Sequence, residues 1–336
     1  MKARTVLTTA VLSGLLAGAG CESPRRATPS GRPAEPRPSV SVVPGLAWRT
    51  VAPMTSARTE VAAAAAGTLI YVMGGYVADG ATVATVEVLD TATGRWTRRP
   101  DLPVAVNHAM AATVEGTVYV FGGWRADKQV SAAAFRLVGN AWQPVAALPQ
   151  PRAAGTSVAL GGRVYVAGGV DPAGLAQQML VYDAAGDRWS AADGPPTRRE
   201  HLGGAGFGGR VYTVGGRTGA GNLTAVEAYD PGTGRWTALP RLPTARGGLA
   251  AAATCAGQVV AVGGEIPATF AEAEAYDVRT GAWSALPPMP TPRHGLGAVT
   301  VGTVLYTLAG GPQPGLHVAT TVEAIDLARL GPCASP

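Results

Sequence analysis

Three histidines recur at a regular interval along the chain. His108, His201 and His294 follow one another at intervals of 93 residues. Imidazole nitrogens are common ligands of transition metals, so three of them brought together could hold an ion. Spacing alone identifies no carboxylate that would support such a site, and His294 lies two residues further from the Gly-Gly pair that follows it than the other two do. We therefore expect three separate hydrogen-bonding residues and neither a metal nor a cofactor.

Trp124 and Arg125 form a second candidate site. Asp127 and Lys128 follow them in a short polar stretch with the character of a loop. An exposed indole beside a guanidinium group is suited to stacking on a sugar or a peptide. A loop tryptophan can equally pack against a neighbouring part of the protein, and the sequence leaves both interpretations open.

Signatures of catalysis are thin. The G-x-G-x-x-G match at residues 204–209 lies between two strand-like runs and no helical pattern follows it, so it is a chance match in a glycine-rich chain. The sequence contains no G-x-S-x-G motif, no H-E-x-x-H motif and no phosphate-binding loop. We predict no catalytic residue, and a protein that is not an enzyme is favoured.

An internal repeat must position these residues. Glycine pairs recur six times at intervals of 46 to 48 residues, at Gly74-Gly75, Gly122-Gly123, Gly168-Gly169, Gly215-Gly216, Gly263-Gly264 and Gly310-Gly311. Six of the seven tryptophans keep the same period, at Trp48, Trp96, Trp142, Trp189, Trp236 and Trp283. A period of this length is typical of propellers and repeat arrays, in which one unit is too small to bury its own apolar face.

Each repeat contains four short apolar runs, as expected for a four-stranded antiparallel sheet. We therefore predict an all-β fold, a six-bladed β-propeller with four antiparallel strands per blade. The last repeat lacks a tryptophan, whereas Trp48 precedes the first glycine pair in a stretch that matches the fourth strand of other repeats. The N-terminal strand is thus predicted to close the sixth blade, which removes the exposed edges of an open sheet.

The repeat resembles the kelch family over residues 46–330. The resemblance rests on the paired glycines, the spaced tryptophan and a downstream Tyr-Asp, present as Tyr182-Asp183, Tyr229-Asp230 and Tyr276-Asp277. Four repeats also carry a glutamate three residues before the aspartate, at Glu87, Glu227, Glu274 and Glu323. The second repeat departs from the pattern, with Phe135-Arg136-Leu137 in place of Tyr-Asp, and Val260 replaces a tyrosine in the fifth.

The resemblance implies that ligands bind at one end of the central channel. In kelch relatives the residue after each glycine pair and the start of the innermost strand form the site. The first set is Tyr76, Trp124, Val170, Arg217, Glu265 and Pro312. The second set is Arg58, Arg152, Arg199, Arg246 and Arg293, with Asn107 at the matching position of the second repeat. With Arg125 and His201 added, the candidate ligand-binding residues are Tyr76, Trp124, Arg125, Arg217, Glu265, His201 and these five arginines.

The five arginines have two interpretations. A ring of guanidinium groups at a channel mouth would suit a carboxylate or an acidic sugar. Alternatively, each arginine pairs with an acidic residue of its own or the adjacent blade. One arginine per repeat at a constant position favours the structural role.

The charge of the chain gives no argument for a nucleic-acid partner. The net charge is +5, but the predicted propeller contains 21 basic and 20 acidic residues. The excess lies ahead of the propeller, so the binding body is nearly neutral.

The N-terminus is typical of an exported protein. Residues 1–20 carry Lys2 and Arg4 and then an apolar run, as in a signal peptide. Small residues before Cys21 resemble a bacterial lipoprotein signal, in which this cysteine is lipidated. Residues 21–45 are then a disordered Pro- and Arg-rich tether, and residues 331–336 a C-terminal tail. We predict a lipoprotein anchored to a bacterial cell envelope, at the outer membrane or in the periplasm, with secretion as the alternative.

Two further cysteines remain, Cys255 and Cys333. The predicted topology places them on the same face of neighbouring blades, in a compartment that permits disulfides. A disulfide and two free thiols both remain open.

The sequence favours a monomeric binding module that presents one propeller face to a protein or glycan ligand. The resemblance keeps an alternative open, a carbohydrate-active enzyme such as a sialic acid mutarotase-like epimerase that acts on an acidic sugar. Glu265 or His201 would then act as the acid or base. Galactose oxidase-like enzymes share this type of propeller, but no cysteine here is placed to complete their copper site.

Overall fold

The protein is a six-bladed β-propeller, as the repeat predicts. The computed structural model describes residues 42–333, and each blade in it is a four-stranded antiparallel sheet. In blades 1 to 5 the four strands follow one another in chain order from the channel outwards. Each innermost strand packs against the innermost strands of both neighbouring blades, and blade 6 packs against blade 1. The sheets therefore form a closed ring.

The strands of the six blades have the following bounds. Blade 1 contains Ala62–Ala66, Leu69–Met73, Val86–Asp90 and Arg95–Arg99, and blade 2 contains Met110–Val114, Thr117–Phe121, Ala134–Val138 and Ala141–Pro144. Blade 3 contains Thr156–Leu160, Arg163–Ala167, Gln178–Asp183 and Arg188–Asp193, and blade 4 contains Gly203–Phe207, Arg210–Val214, Val226–Asp230 and Arg235–Ala238. Blade 5 contains Ala250–Ala253, Gln258–Val262, Ala273–Asp277 and Ala282–Ala285. Blade 6 contains Gly297–Val301, Val304–Leu308, Val322–Asp326 and the N-terminal strand Trp48–Thr50.

Short two-stranded ribbons project beyond three of the blades on the side where the glycine pairs lie. They pair Val106–Asn107 with Trp124–Arg125, Val170–Asp171 with Gly174–Leu175, and Arg217–Thr218 with Gly221–Asn222. A single 3-10 turn, Ala328–Leu330, follows the last strand of the chain. Across residues 42–333 the structure contains no helix with the length and apolar character needed to cross a membrane.

The N-terminal strand closes the ring, which confirms the predicted arrangement. Trp48 lies opposite Ile325 and Thr50 opposite Glu323 in an antiparallel ladder. The first and last parts of the propeller therefore share one sheet. Blade 6 is incomplete without residues that precede blade 1.

The repeated tryptophans join each blade to the one before it. In every blade the indole Nε1 donates to a backbone carbonyl of the preceding blade across 2.7 to 2.9 Å. The pairs are Trp96 with Ala52, Trp142 with Pro100, Trp189 with Ala146, Trp236 with Asp193, Trp283 with Pro240 and Trp48 with Pro287. A constant period in the sequence thus reflects a constant bond between neighbouring sheets.

Small residues in the innermost strands allow six sheets to meet around one axis. A Cβ atom added to Gly203 would lie 2.7 Å from the Cβ of Ala251, and one added to Gly297 would lie 2.6 Å from the Cβ of Ala63. Real Cβ atoms do not approach so closely, so glycine is required where adjacent blades converge. The first glycine of blade 1's pair has the same role, because Gly74 has φ of +63° and lies against the carbonyl oxygen of Val106.

Both ends of the described chain are tied to the propeller. The sulfurs of Cys255 and Cys333 are bonded, with their Cα atoms 4.6 Å apart. At the other end, the N–H of Val43 donates to the carbonyl oxygen of Ala285 at 3.0 Å. Contacts with the propeller therefore begin before residue 46, where the predicted tether ends. The predicted leader, Cys21 and most of that tether lie outside the described residues.

Candidate functional site: the channel mouth

The five arginines that begin the blades are completely buried. Arg58, Arg152, Arg199, Arg246 and Arg293 each have 0% exposure. Four of them pair with a glutamate on the third strand of their own blade at 2.6 to 2.8 Å, namely Arg58 with Glu87, Arg199 with Glu227, Arg246 with Glu274 and Arg293 with Glu323. A ligand in the channel has no access to these guanidinium groups. Four of the five arginines thus have the structural role, pairing with an acidic residue, that the constant spacing favours.

Blades 2 and 3 lack the glutamate. Blade 3 keeps its arginine, whereas blade 2 does not. In blade 3 the matching residue is Leu180, and Arg152 instead donates to the carbonyl oxygens of Gly168 and Gln178 at 3.0 and 3.1 Å. In blade 2 Phe135 occupies the glutamate position. Val106, rather than the expected Asn107, occupies the arginine position, because it lies two residues before ring residue His108 and accepts the bond from the glycine pair of the preceding blade that the arginines accept elsewhere. Blade 2 has therefore lost both members of the pair, and blade 3 only one.

A closed ring of six backbone hydrogen bonds surrounds the channel mouth. It joins the residue that precedes each innermost strand to its counterpart in the next blade, across 2.7 to 3.0 Å. The six members are Glu60, His108, Ala154, His201, Gly248 and Gly295. All six have positive φ, between +50° and +68°. Because the backbone is equivalent around the ring, the side chains of Glu60, His108 and His201 start from equivalent points at the mouth.

The side chains of three ring residues meet at the channel axis. Nε2 of His108 lies 3.0 Å from Oε2 of Glu60, and the rings of His108 and His201 are 4.8 Å apart between centroids at an angle of 77°. One ligand atom from each of these three residues lies within 4.8 Å of the other two. His294, which precedes ring residue Gly295, places Nδ1 3.3 Å from Oε1 of Glu60. Our expectation of separate histidines is therefore wrong, because the ring brings them to one carboxylate.

Arg217 links the cluster to two further carboxylates. Its Nη1 lies 2.6 Å from Oε1 of Glu265, and its Nε lies 3.3 Å from Oε1 of Glu200. Its Nη2 contacts Nε2 of His201 at 3.0 Å. Glu265 also accepts a hydrogen bond from the N–H of Gly315 at 3.1 Å, which anchors the loop after the sixth glycine pair.

Burial and neighbouring charges set the protonation of the cluster. Burial lowers the pKa of His108 to about 4, against the opposing charge of Glu60, so its imidazole is neutral at pH 7. The hydrogen bond with His201 lowers the pKa of Glu200 to about 2. Burial also opposes the ionisation of Glu60, but the imidazoles of His108 and His294 keep its pKa below the ordinary value. Glu60 and Glu200 are therefore ionised.

Apolar side chains form a rim around this polar cluster. Tyr76 and Trp124 are half-buried, and their rings lie 5.9 and 4.9 Å from the ring of His108. Leu316 and Ile266 are 49% and 47% exposed, respectively. Arg125 is exposed beside Trp124 and pairs with Asp127. The mouth thus combines a polar floor with an apolar edge.

Two cavities meet at the ring. An outer cup of about 190 Å³ is lined by the cluster together with Tyr76, Gly315 and Leu316. An inner cavity of about 330 Å³ continues between the innermost strands, lined mostly by alanine, glycine and other small residues. Glu60, His108 and His201 line both cavities. These three side chains therefore form the constriction between the cup and the channel.

Comparison with known proteins identifies the repeat. The profile of the KLHDC2/KLHL20/DRC7 Kelch-repeats domain matches residues 60–193, and the Kelch motif matches residues 198–243 and 246–290. The chain is a kelch-repeat protein.

The chain is also similar to curated proteins of varied origin. The chain is 30% identical over 199 residues to Kelch-like protein terF of Aspergillus terreus, a match that covers 54% of this chain and 39% of that protein. It is 30% identical over 127 residues to Kelch-like protein 35 of Mus musculus, covering 38% and 21% of the two chains. It is 27% identical over 130 residues to Beta-scruin of Limulus polyphemus, covering 36% and 14%. The matched segment is therefore well under half of each relative.

The kelch repeat explains which site residues the sequence identified and which it missed. The residues after the glycine pairs, Tyr76, Trp124, Arg217 and Glu265, do lie at the mouth with His201. The sequence did not identify Glu60 or Glu200 as site residues, and it predicted His108 to be a separate hydrogen-bonding residue. A signal for Glu60 was present, since Glu60, His108 and His201 each lie 14 residues before their glycine pair.

Proposed function

We propose that this kelch-repeat protein is a binding module that holds a protein partner on the face formed by the channel mouth. The main support for this proposal is the apolar rim of the channel mouth. Tyr76, Trp124, Leu316 and Ile266 offer aromatic and aliphatic surface around a cup of about 190 Å³. Aromatic residues that border a pocket are typical of the positions that dominate binding energy in protein interfaces. The kelch relatives favour a protein as the partner.

The acidic-sugar alternative loses its main support. The five arginines that would recognise a carboxylate are buried within the blades. At the mouth, the guanidinium group of Arg217 is already held by Glu200 and Glu265, and that of Arg125 by Asp127. A sugar carboxylate would have to displace one of these carboxylates, whereas an apolar protein segment needs no such exchange.

We further propose that the protein is exported and held at a bacterial cell envelope through a lipid on Cys21, as its leader suggests. The tether would then hold the propeller away from the membrane as a monomer, with its binding face free. Cell fractionation tests this part separately. The wild-type protein is expected with the membranes and a Cys21→Ser variant in the soluble fraction, whereas equal distribution of the two contradicts lipid anchoring.

Selection from a phage-displayed library of random peptides tests the binding face. Peptides selected on the purified wild-type protein are expected to lose at least about tenfold in affinity for a Leu316→Asp variant, equivalent to about 1.4 kcal/mol. Trp124→Ala is expected to weaken the same peptides. Val138→Asp is the matched control, because Val138 is 43% exposed in a strand turn on the opposite face.

Two results would contradict this proposal. One is a selected set that binds the Leu316→Asp and Trp124→Ala variants as well as the wild type. The other is a set that loses binding to Val138→Asp instead, which would place the binding surface on the opposite face. A glycan array probed with the same variants would show whether a sugar, rather than a peptide, depends on Trp124.

A further inference from the structure

The ring at the channel mouth carries side chains where its backbone favours glycine. Gly248 and Gly295 occupy two of the six positions, and Ala154 a third. The other three positions bear Glu60, His108 and His201, with φ of +54°, +50° and +52°. A side chain in the left-handed region raises the energy of the folded state, and such strain is concentrated at functional sites. Three strained positions bear the three side chains that converge.

Asn107 determines which ring nitrogen of His108 faces Glu60. The amide group of Asn107 donates to Oγ1 of Thr82 at 2.8 Å and to the carbonyl of Trp124 at 3.3 Å. Its Oδ1 is therefore the atom that faces Nδ1 of His108 at 2.6 Å, and Nδ1 must carry the proton. Nε2 takes no part in that bond and lies 3.0 Å from Oε2 of Glu60. The imidazole nitrogen and the carboxylate oxygen are thus held side by side, as two ligand atoms of one ion would be.

Most of the charged side chains in the cluster are acidic. Glu60, Glu200 and Glu265 contribute three carboxylates, and Arg217 contributes one guanidinium group. Carboxylates therefore outnumber guanidinium groups around the partly buried cup. A buried excess charge is costly unless it is paired or coordinates a metal.

We propose that Glu60, His108 and His201 bind a divalent transition-metal ion, with Zn²⁺ as the best match, at the constriction between the cup and the channel. Two imidazoles and one carboxylate form a ligand set that suits zinc and related ions. The three ligand atoms already lie within 4.8 Å of one another. Metal bonds of about 2.0–2.2 Å would draw them closer.

The surroundings supply the support that such a site needs. Asn107 holds the tautomer of His108 by its bond to Nδ1, as outer partners of metal-bound histidines commonly do. His294 lies against the second oxygen of Glu60 and orients the carboxylate. His201 would exchange its Nε2 contact with Arg217 for the ion, while Arg217 keeps Glu265 and Glu200.

Metal binding to the full-length purified protein, stripped with a chelator beforehand, tests this proposal. Calorimetric titration with Zn²⁺ is expected to show one ion per chain, and titration with Co²⁺ to give the intense visible bands of a four- or five-coordinate site. His108→Asn, His201→Asn and Glu60→Gln are expected to abolish this stoichiometric binding. Asn107→Ala is expected to weaken it about ten- to hundredfold. His317→Asn, which changes an exposed histidine on the same side, is the matched control.

A second measurement uses only the wild-type protein, so its result does not depend on whether the variants fold. In nuclear magnetic resonance spectra of ¹⁵N-labelled histidine, Zn²⁺ is expected to shift the ring signals of His108 and His201 and to leave those of His317 unchanged. The proposal is overturned if the wild type binds no stoichiometric Zn²⁺, if the ligand variants bind it as the wild type does, or if the ring signals do not move. The peptide selection above does not depend on this result, so the two proposals can fail separately.

Discussion

The backbone N–H of His108 donates to the carbonyl oxygen of Glu60 across 2.9 Å, and both residues have positive φ. This pair is one sixth of the ring that fixes the shape of the channel mouth. The ring keeps its geometry whichever side chains it carries, because every bond in it is between backbone atoms. Its six positions therefore present their side chains from equivalent points around the mouth.

Ala154→Gly is expected to stabilise the protein. Ala154 has φ of +52°, and glycine adopts that conformation without the steric cost that a Cβ atom brings. The expected gain is about 1 kcal/mol in the free energy of unfolding, measured by urea denaturation. Ala153→Gly is the control. Ala153 does not have positive φ, so this variant should be less stable than the wild type. Equal effects of the two changes would argue against strain in the ring.

Loss of a buried arginine is expected to depend on whether its blade contains the glutamate. Arg199→Leu leaves Glu227 buried without its partner, and breaking such a pair costs about 3–5 kcal/mol. Arg152→Leu strands no carboxylate and frees only two carbonyl oxygens, so a smaller loss of about 1–3 kcal/mol is expected. Urea midpoints of the two variants give the comparison. If Arg152→Leu proved as costly as Arg199→Leu, the glutamates would not be the reason for the buried arginines.

The prediction from sequence succeeded where each repeat needs the same contact. The tryptophans and glycine pairs recur because every blade makes the same indole bond and the same close turn, so their period indicated the number of blades and the closing strand. The cluster at the mouth obeys no such rule. Glu60, His108 and His201 share a backbone position but not a side-chain type, and only the closed ring shows that blades 1, 2 and 4 aim at one point. His294 reaches it from the neighbouring position.

The buried pair of blade 1 is expected to make stability depend on pH in the acid range. Burial by itself raises the pKa of Glu87, but hydrogen bonds from Ser56 and Thr55 and the charge of Arg58 outweigh it and hold the pKa below its ordinary value. The ionised carboxylate therefore stabilises the fold above pH 4.5, and this contribution is lost as the pH falls further.

Comparison with Glu87→Gln isolates that contribution. At about pH 7 the variant is expected to be the less stable protein, and the difference should narrow as the pH falls below about 4. Urea denaturation of both proteins across this range provides the measurement. A difference that stays constant down to acid pH would show that the charge of Glu87 is not what stabilises blade 1.

Deletion of the N-terminal strand is expected to cause self-association, which loss of a tryptophan bond between blades does not cause. Trp48→Ala and Trp236→Ala each remove one indole bond to the preceding blade, to Pro287 and to Asp193. Both indoles are partly buried, so each change should cost about 0.5–3 kcal/mol of unfolding free energy. Deletion through Thr50 goes further, because it leaves the strand Val322–Asp326 as an unpaired edge. Exposed edges pair with other chains, so sedimentation should show that the truncated protein self-associates more than the wild type does, whereas both tryptophan variants should sediment as the wild type does. A truncated protein that sediments as the wild type does and is as stable as Trp48→Ala would mean that the ring does not depend on its N-terminal strand.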